Sequence, residues 1–498
     1  MAEPLILALD QGTTSTRAIL FSADGSPLSE AGAPLEQHYP HDGWVEHDAE
    51  EIFRASVSAL KSAVEKAGRQ MDAVTAIGVT NQRETVVVWE KATGRPIYNA
   101  IVWQDRRTEP MCARLRAAGR EGRVTQITGL LLDPYFSGTK LSWLLDNVPG
   151  ARAAAEGGEL LAGTIDAWVI WKLTGGRVHA TDATNASRTL LYDIRAGGWS
   201  TEMGEMLDVP LGLLPQVRDC AGDFGETDPA ILGRAVPIRG VAGDQQAALM
   251  GQGCIRAGEM KATYGTGCFM LFHTGEAAPV SDARLLTTIA AQVAGRVTYA
   301  LEGAIFIAGA AVQWVNEGLG VQGGPQAVER LAMGARDDHG VVMVPAFTGL
   351  GAPWWDAGAR AAVFGLTRDA GLAEIAQAAM DASALQTRDL IEAMLADAPQ
   401  AFGGSVELRI DGGMSRSTWF AQRLADLTGV SVCRATYEET TALGAALFAG
   451  VGAGIFRDVE AAAAARPKTE SYRPAMTADR REAGYARWLD AVARVRTS

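Results

Sequence analysis

The sequence predicts an α/β fold. Short apolar runs of strand length end repeatedly in turns rich in glycine, hydroxyls and carboxylates: one follows Leu5–Leu9, a second follows the run to Tyr264, and a third follows Leu408-Arg409-Ile410. The strand–turn–strand pattern of residues 5–21 is echoed at residues 259–272, which suggests an internal duplication. Stretches with helical apolar spacing stand between these runs, and the alternation of the two periods is that of a sheet covered by helices.

Element by element, Leu5–Leu9 and Ala18-Ile19-Leu20-Phe21 read as strands, and the turn at Asp24-Gly25 with Pro27-Leu28 extends them into an antiparallel set. Asp48 and Glu51 have the spacing of a capping box, and Phe53, Val57, Leu60 and Val64 then form one apolar helical stripe. Val74–Val79 is a buried-strand candidate ending in polar Thr80-Asn81-Gln82-Arg83-Glu84, and Ile101-Val102-Trp103 ends likewise in Gln104-Asp105-Arg106-Arg107. Open α/β sheets place ligands at such strand ends. Ile238–Ala242 leads into Gly243-Asp244-Gln245, and Val341–Phe347 reads as another strand. Leu372–Ala398 is a long helix or a broken helical region, and Glu438–Gly450 is a helix whose Gly444, Ala445 and Ala446 permit close packing. The expected division is residues 1–250 and 251–498.

A chain of 498 residues is long enough for two to four domains, and 48% apolar with 21% charged residues is an ordinary globular composition. A net charge of −13 argues against nucleic-acid or anionic-membrane partners. The five cysteines are scattered without Cys-x-x-Cys spacing, as free thiols in a reducing compartment would be. With no secretory leader pattern and no apolar run of the ~18 residues a spanning helix needs, the expected location is cytoplasmic.

Asp10-Gln11-Gly12-Thr13-Thr14-Ser15-Thr16-Arg17 carries the chemistry. It sets a carboxylate, a flexible turn, consecutive hydroxyls and a fixed cation within eight residues, the set a magnesium-bound nucleoside triphosphate needs. Asp-x-Gly-Thr also occurs in ordinary hairpin turns. Two further glycine turns after strands can bring backbone amides close to a nucleotide without a Cβ in the way. The chain lacks a P-loop, the His-Arg-Asp and Asp-Phe-Gly pair of protein kinases, and a Gly-x-Gly-x-x-Gly fingerprint after a strand.

Asp10–Ser15, Gly43–Asp48, Thr80–Thr85, Asn99–Gln104, Asp133–Lys140, Gly243–Ala247, Thr263–Phe269, Pro345–Pro353 and Asp411-Gly412-Gly413 together closely resemble the FGGY carbohydrate kinase family, in the same order from about residue 5 to residue 485. The resemblance implies an actin-like, duplicated ribonuclease H-type fold with two α/β domains flanking a cleft, residues 1–250 mainly for substrate and 251–498 mainly for nucleotide. It also implies ATP-dependent phosphorylation of glycerol to sn-glycerol 3-phosphate, assisted by Mg²⁺.

On this resemblance Arg83, Glu84, Tyr135 and Gln245 bind the polyol hydroxyls, Trp103 and Phe269 wall its carbons, and Asp244 is the general base. Read as residues alone, Arg83 and Glu84 could be a solvated pair, Trp103 and Phe269 core, and Asp244 an N-cap. Asp10, with Asp244, is expected to hold Mg²⁺. Thr13, Thr14, Ser15, Arg17 and Thr266 are expected at the phosphates, and Gly309, Gln313, Gly413 and Ser417 along the rest of the nucleotide. Ser417 stands where the family commonly has Asn, and Asp228–Arg234 keeps one Arg of the effector loop that some relatives carry. A homo-oligomer, dimer or tetramer, is expected, with glycerol and ATP as the small-molecule partners. Alternatives are a kinase for erythritol, dihydroxyacetone or a pentulose, and an actin-like ATP-switched scaffold. His38, His41 and His47 fit no standard metal-ligand spacing. Arg106 and Arg107 could steer an anionic nucleotide or simply be solvated.

Overall fold

A computed structural model describes residues 3–336, 339–404 and 406–497. Two mixed sheets organise it. The first has five strands in the order Ile238–Gly243, Val74–Asn81, Leu5–Gln11, Ser15–Ser22, Pro27–Pro34. Leu5–Gln11 runs antiparallel to Ser15–Ser22 and parallel to Val74–Asn81. The second sheet, of seven strands, is built on the same plan: Met260–Tyr264 is antiparallel to Cys268–Gly275 on one side and parallel to Glu407–Asp411 on the other. The echo of residues 5–21 at residues 259–272 is therefore structural, and the fold is the duplicated α/β arrangement.

Strand interiors account for the pairing. Leu5, Leu7 and Leu9 face one core while Ile6 and Ala8 face another, so a strand covered on both faces is apolar at every position. The helix Ala49–Lys66 covers one face with Ile52, Ala59, Leu60 and Ala63. Asp48 caps it by accepting from the Glu50 N–H at 2.8 Å; the expected reciprocal box with Glu51 does not form, because Glu51 turns to the Glu36 N–H instead.

The other face of the first sheet is covered from far along the chain. Helix Thr440–Gly452 lies on it through Leu443, Ala446, Leu447 and Phe448, against Ile6, Ala8, Ile19 and Phe21. Gly444 is in backbone contact with the helix Asp244–Gly251, and a Cβ there would collide with the Ala247 carbonyl. The two halves are thus joined at their base by crossing small-residue helices. Leu372–Asp397 is one unbroken helix, and the strand expected over residues 341–347 is confined to Val342–Val344 because Pro345 ends it.

All five cysteines are free and buried, and among the described residues no helix is long and apolar enough to cross a membrane.

Candidate active site

The strand ends of both sheets converge on one cleft. Val74–Asn81 delivers Arg83 and Glu84, with Glu84 held at φ 61°. Neither is solvated. Arg83 is fully buried and clamped by Glu302 of the second half, Nη1 to Oε2 at 2.6 Å and Nη2 to Oε1 at 3.1 Å, while its Nε lies 3.1 Å from Asp244 Oδ1. Glu84 Oε1 accepts from Arg188 Nε at 2.7 Å, and Arg188 Nη2 returns to Glu302 at 2.9 Å. Burial works to raise Glu302, but Arg188 and Arg83 pull it down to about 2, so it remains a fixed anion. Burial also raises Glu84, against the opposing pull of Arg83 and Arg188.

An aromatic wall stands beside this network. The Trp103 ring meets Tyr135 at 5.5 Å and Phe269 at 6.4 Å, both edge-on. Trp103 Nε1 donates to Thr13 Oγ1 at 2.9 Å, which ties the wall to the first glycine turn. Trp103, Tyr135 and Phe269 are each half-buried, so they line the cleft rather than fill a core.

Asp244 opens its helix and Gly243 is the N-cap residue, so the N-cap reading of Asp244 fails. Its side chain is one-third exposed, into the cleft. Burial raises its pKa; Arg83 and Lys261 oppose that rise. Asp10 is raised to about 7, by burial first and then by the charges of Asp244 and Glu439. Among the described residues no donor is hydrogen-bonded to the Asp10 carboxylate. Carboxylates that crowd one another suit a divalent metal, and Asp10 with Asp244 are the groups that could hold Mg²⁺.

The first and third glycine turns share a cavity of about 250 Å³ lined by Asp10, Gly12, Ser15, Arg17, Gly413 and Glu439, among others. The Gly12 N–H closes the first turn on Ser15 O at 2.9 Å. Thr14 is exposed at its tip. Arg17 is ion-paired with Glu439, so its charge is shared rather than free. Gly412 has φ 86°, and a Cβ there would meet the Tyr264 carbonyl at 2.5 Å; only glycine lets the third turn lie against the end of the neighbouring strand. The second turn is braced from behind: Gly309 N–H donates to Gly265 O and Ala310 N–H to Thr266 O, both at 3.0 Å. That leaves the Thr266 side chain exposed.

Two expected residues are engaged elsewhere. Gln313 donates to Glu317 one helical turn on, at 3.0 Å. Ser417 Oγ caps the helix Thr418–Thr428 by accepting from the Phe420 N–H, and donates to Glu329 at 2.6 Å. The reading of motifs missed Arg188, Glu302, Gln246, Lys261 and Glu439. The signal was a lone charge within an apolar strand, as at Leu301-Glu302-Gly303 and Met260-Lys261-Ala262.

The histidines do not form a group of their own. His47 bonds Gln37 at 2.9 Å, and burial lowers it to about 4. His38 lies instead with Glu36 and Glu51, their ligand-type atoms within 4.8 Å of one another, on the surface. Arg107 is a structural staple, bonded to Glu46 and Asp105 at 2.8 Å and stacked 3.7 Å from the Trp44 ring centre. Arg106 pairs with Asp133 at 2.7 Å.

The FGGY family of carbohydrate kinases matches the chain twice, its N-terminal domain over residues 5–251 and its C-terminal domain over residues 260–453. The chain is 54% identical to a glycerol kinase of Chelativorans sp. over 99% of this chain and 98% of that protein. It is 55% identical to a glycerol kinase of Cereibacter sphaeroides over 98% of each. The crystal structure of Plasmodium falciparum glycerol kinase with ADP superposes with a TM-score of 0.93 at 32% identity, covering 99% of this chain and 98% of that one.

Proposed function

The chain belongs to the FGGY family of carbohydrate kinases, and on that premise we propose that it transfers the γ-phosphoryl group of ATP to a terminal hydroxyl of glycerol, giving sn-glycerol 3-phosphate. One observation supports the residue-level reading: a set of polar groups, buried Arg83 and Glu84 with half-buried Asp244 and Gln245, stands by the aromatic wall, which Trp103 ties through Thr13 to the phosphate turn.

Glycerol carries three hydroxyls on a short apolar chain, so its site needs donors, acceptors and a dry wall. Trp103 and Phe269 supply the wall and exclude water. Arg83 donates to Glu302 and Gln246 and is ion-paired with Asp244, which fixes the plane in which its guanidinium meets the polyol. Glu84 Oε2 is left to accept from a second hydroxyl while Oε1 is held by Arg188.

Asp244 accepts the proton of the attacking hydroxyl. The new bond forms between that oxygen and the γ-phosphorus, the bond from the γ-phosphorus to the β,γ-bridging oxygen breaks, and ADP leaves with that electron pair. Phosphoryl transfer of this kind passes through a loose transition state, so Asp244 chiefly orients the alcohol and takes its proton as the bond forms. Mg²⁺, held by Asp10 and Asp244, would neutralise charge on the phosphate oxygens. Backbone N–H groups of Thr13 and Thr14 in the first turn and of Thr266 and Gly267 in the second hold those oxygens, with the hydroxyls of Thr13, Ser15 and Thr266; the Gly12 and Gly265 N–H groups close the turns themselves. The division of labour follows the sequence: the first half binds mainly polyol, the second mainly nucleotide.

The test is a coupled ADP-release assay across glycerol, dihydroxyacetone, erythritol and xylulose. Glycerol is expected to give the highest kcat/KM, with ATP turnover negligible when no alcohol is present. A ketose or tetritol preferred at limiting concentration, or fast alcohol-independent turnover, would refute the proposal.

A further inference from the structure

Lys261 stands beside the cleft residue Gln245 and takes no part in the bond changes of phosphoryl transfer. It sits second in the strand Met260–Tyr264, fully buried between two hydrogen-bonded neighbour strands. An ammonium group in such a place is costly unless it is paired. Its Nζ donates to Gln245 Oε1 at 2.5 Å and to Thr263 Oγ1 at 2.8 Å. Gln245 lies on the helix Asp244–Gly251, in the sequence of the first half, so the bond joins the two halves.

The direction of this bond fixes a property of the site. A lysine ammonium is a donor only, so the oxygen of the Gln245 amide must face it. The amide's NH₂ is then turned away from Lys261, and among the described residues nothing else engages it. Gln245 thereby becomes an obligate donor in a pocket where the carboxylates of Glu84 and Asp244 are acceptors. A polyol hydroxyl both donates and accepts, so a donor fixed beside acceptors reads a hydroxyl in full. Burial depresses the Lys261 pKa, and the facing carboxylates of Asp411 and Asp244 oppose that shift.

We propose that Lys261 is a positioning residue for the phosphoryl acceptor: it locks the Gln245 amide with its NH₂ toward the polyol, and so makes the site select a hydroxyl over a hydrogen at the carbon Gln245 reads. This rests on the assignment of a polyol as acceptor. A site that hydrogen-bonds a hydroxyl rejects the analogue lacking it far more strongly than an apolar pocket can.

The experiment compares glycerol with 1,2-propanediol and 1,3-propanediol as acceptors for the wild type, Lys261→Met, Lys261→Gln and Gln245→Leu. Lys261→Met should lower kcat/KM for glycerol about 100-fold, mostly through KM, with the KM for ATP unchanged within about twofold. Discrimination between glycerol and the more strongly rejected diol should narrow at least about tenfold. Lys261→Gln, whose amide can still donate to Gln245, should recover part of that discrimination. Gln245→Leu should narrow it equally, and adding Lys261→Met to Gln245→Leu should change it little further. Equal losses on glycerol and both diols, or a KM for ATP that rises in step, would mean a merely structural lysine and overturn the proposal. If Lys261→Met does not fold, Lys261→Gln against Gln245→Leu decides it by the same criteria. A wild type inactive on glycerol would overturn the function reading and this inference together; an active wild type whose discrimination survives Lys261→Met and Lys261→Gln would overturn this inference alone.

Discussion

On the proposed mechanism Asp244 is the residue on which turnover depends most directly, because its partly exposed carboxylate opens into the cleft and burial raises its pKa. Asp244→Asn keeps the shape and the hydrogen bond but removes the proton acceptor. It should lower kcat by about 10³-fold or more while ADP affinity, measured calorimetrically, changes by less than about threefold. A quieter dependence runs through Glu84. Its φ of 61° is uncommon for a non-glycine residue, and two donors hold its carbonyl: Ser137 Oγ at 3.0 Å and Lys140 Nζ at 3.3 Å. Ser137→Ala removes one hydrogen bond worth about 1 kcal/mol. It should raise the KM for glycerol about fivefold and leave that for ATP unchanged. Residues of this second kind were not legible in the sequence. Arg83, Glu84 and Asp244 sit in motifs beside glycines and strand ends, whereas Arg188 and Glu302 act through partners more than a hundred positions away. Local pattern carries the first class and only folding reveals the second.

Among the elements, strands followed by glycine turns were read almost to the residue, since their apolar period and punctuation are both local. Helix Thr440–Gly452 was read as a helix, but nothing local told which sheet it covers; that follows from Gly444 and Ala445 fitting against residues some two hundred positions earlier. Gly444→Val would drive side-chain atoms into the Ala247 carbonyl and the Gly251 amide. It should destabilise the protein by about 3 kcal/mol or more, read as a fall in the denaturant midpoint at unchanged slope. The helix Ile165–Leu173 carries a pH-dependent term. Asp166 is buried and accepts from Thr164 and Thr181 at 2.5 Å, and burial, then the Asp182 charge, lift it from 3.8 to about 7. A carboxyl with a raised folded pKa holds a proton that the unfolded chain has lost. Its stabilisation is therefore complete below pH ~4 and disappears as pH rises to ~7. Asp166→Asn removes that term. The variant should gain on the wild type by up to about 1.4 kcal/mol per pH unit between pH 4 and 7 in chemical unfolding.

For the whole molecule, the duplicated plan suggests two independently stable lobes, and the packing argues otherwise. The first sheet obtains one of its two covering layers, Leu443, Ala446, Leu447 and Phe448, from a helix that follows six of the second sheet's seven strands in sequence. Arg83 obtains its counter-ion, Glu302, from the second sheet itself. Unfolding the second half would strip a face from the first and leave a buried guanidinium unpaired, each costly on its own. The halves should therefore melt together although the chain is large enough for separate transitions. Trp168, buried in the first half, and Trp488, buried in the second, make the test specific. The chain has twelve tryptophans, so the fluorescence lost in Trp168→Phe and in Trp488→Phe, each read as a difference from the wild type, should share a single midpoint with far-UV circular dichroism. Since both substrates bridge the same cleft, glycerol with a non-hydrolysable ATP analogue, giving a combined effect equivalent to about 100 times Kd, should raise stability by about 2.7 kcal/mol and move both tryptophan transitions equally. Two separated transitions, or one moved by ligand while the other stands still, would show that the shared helix does not couple the halves.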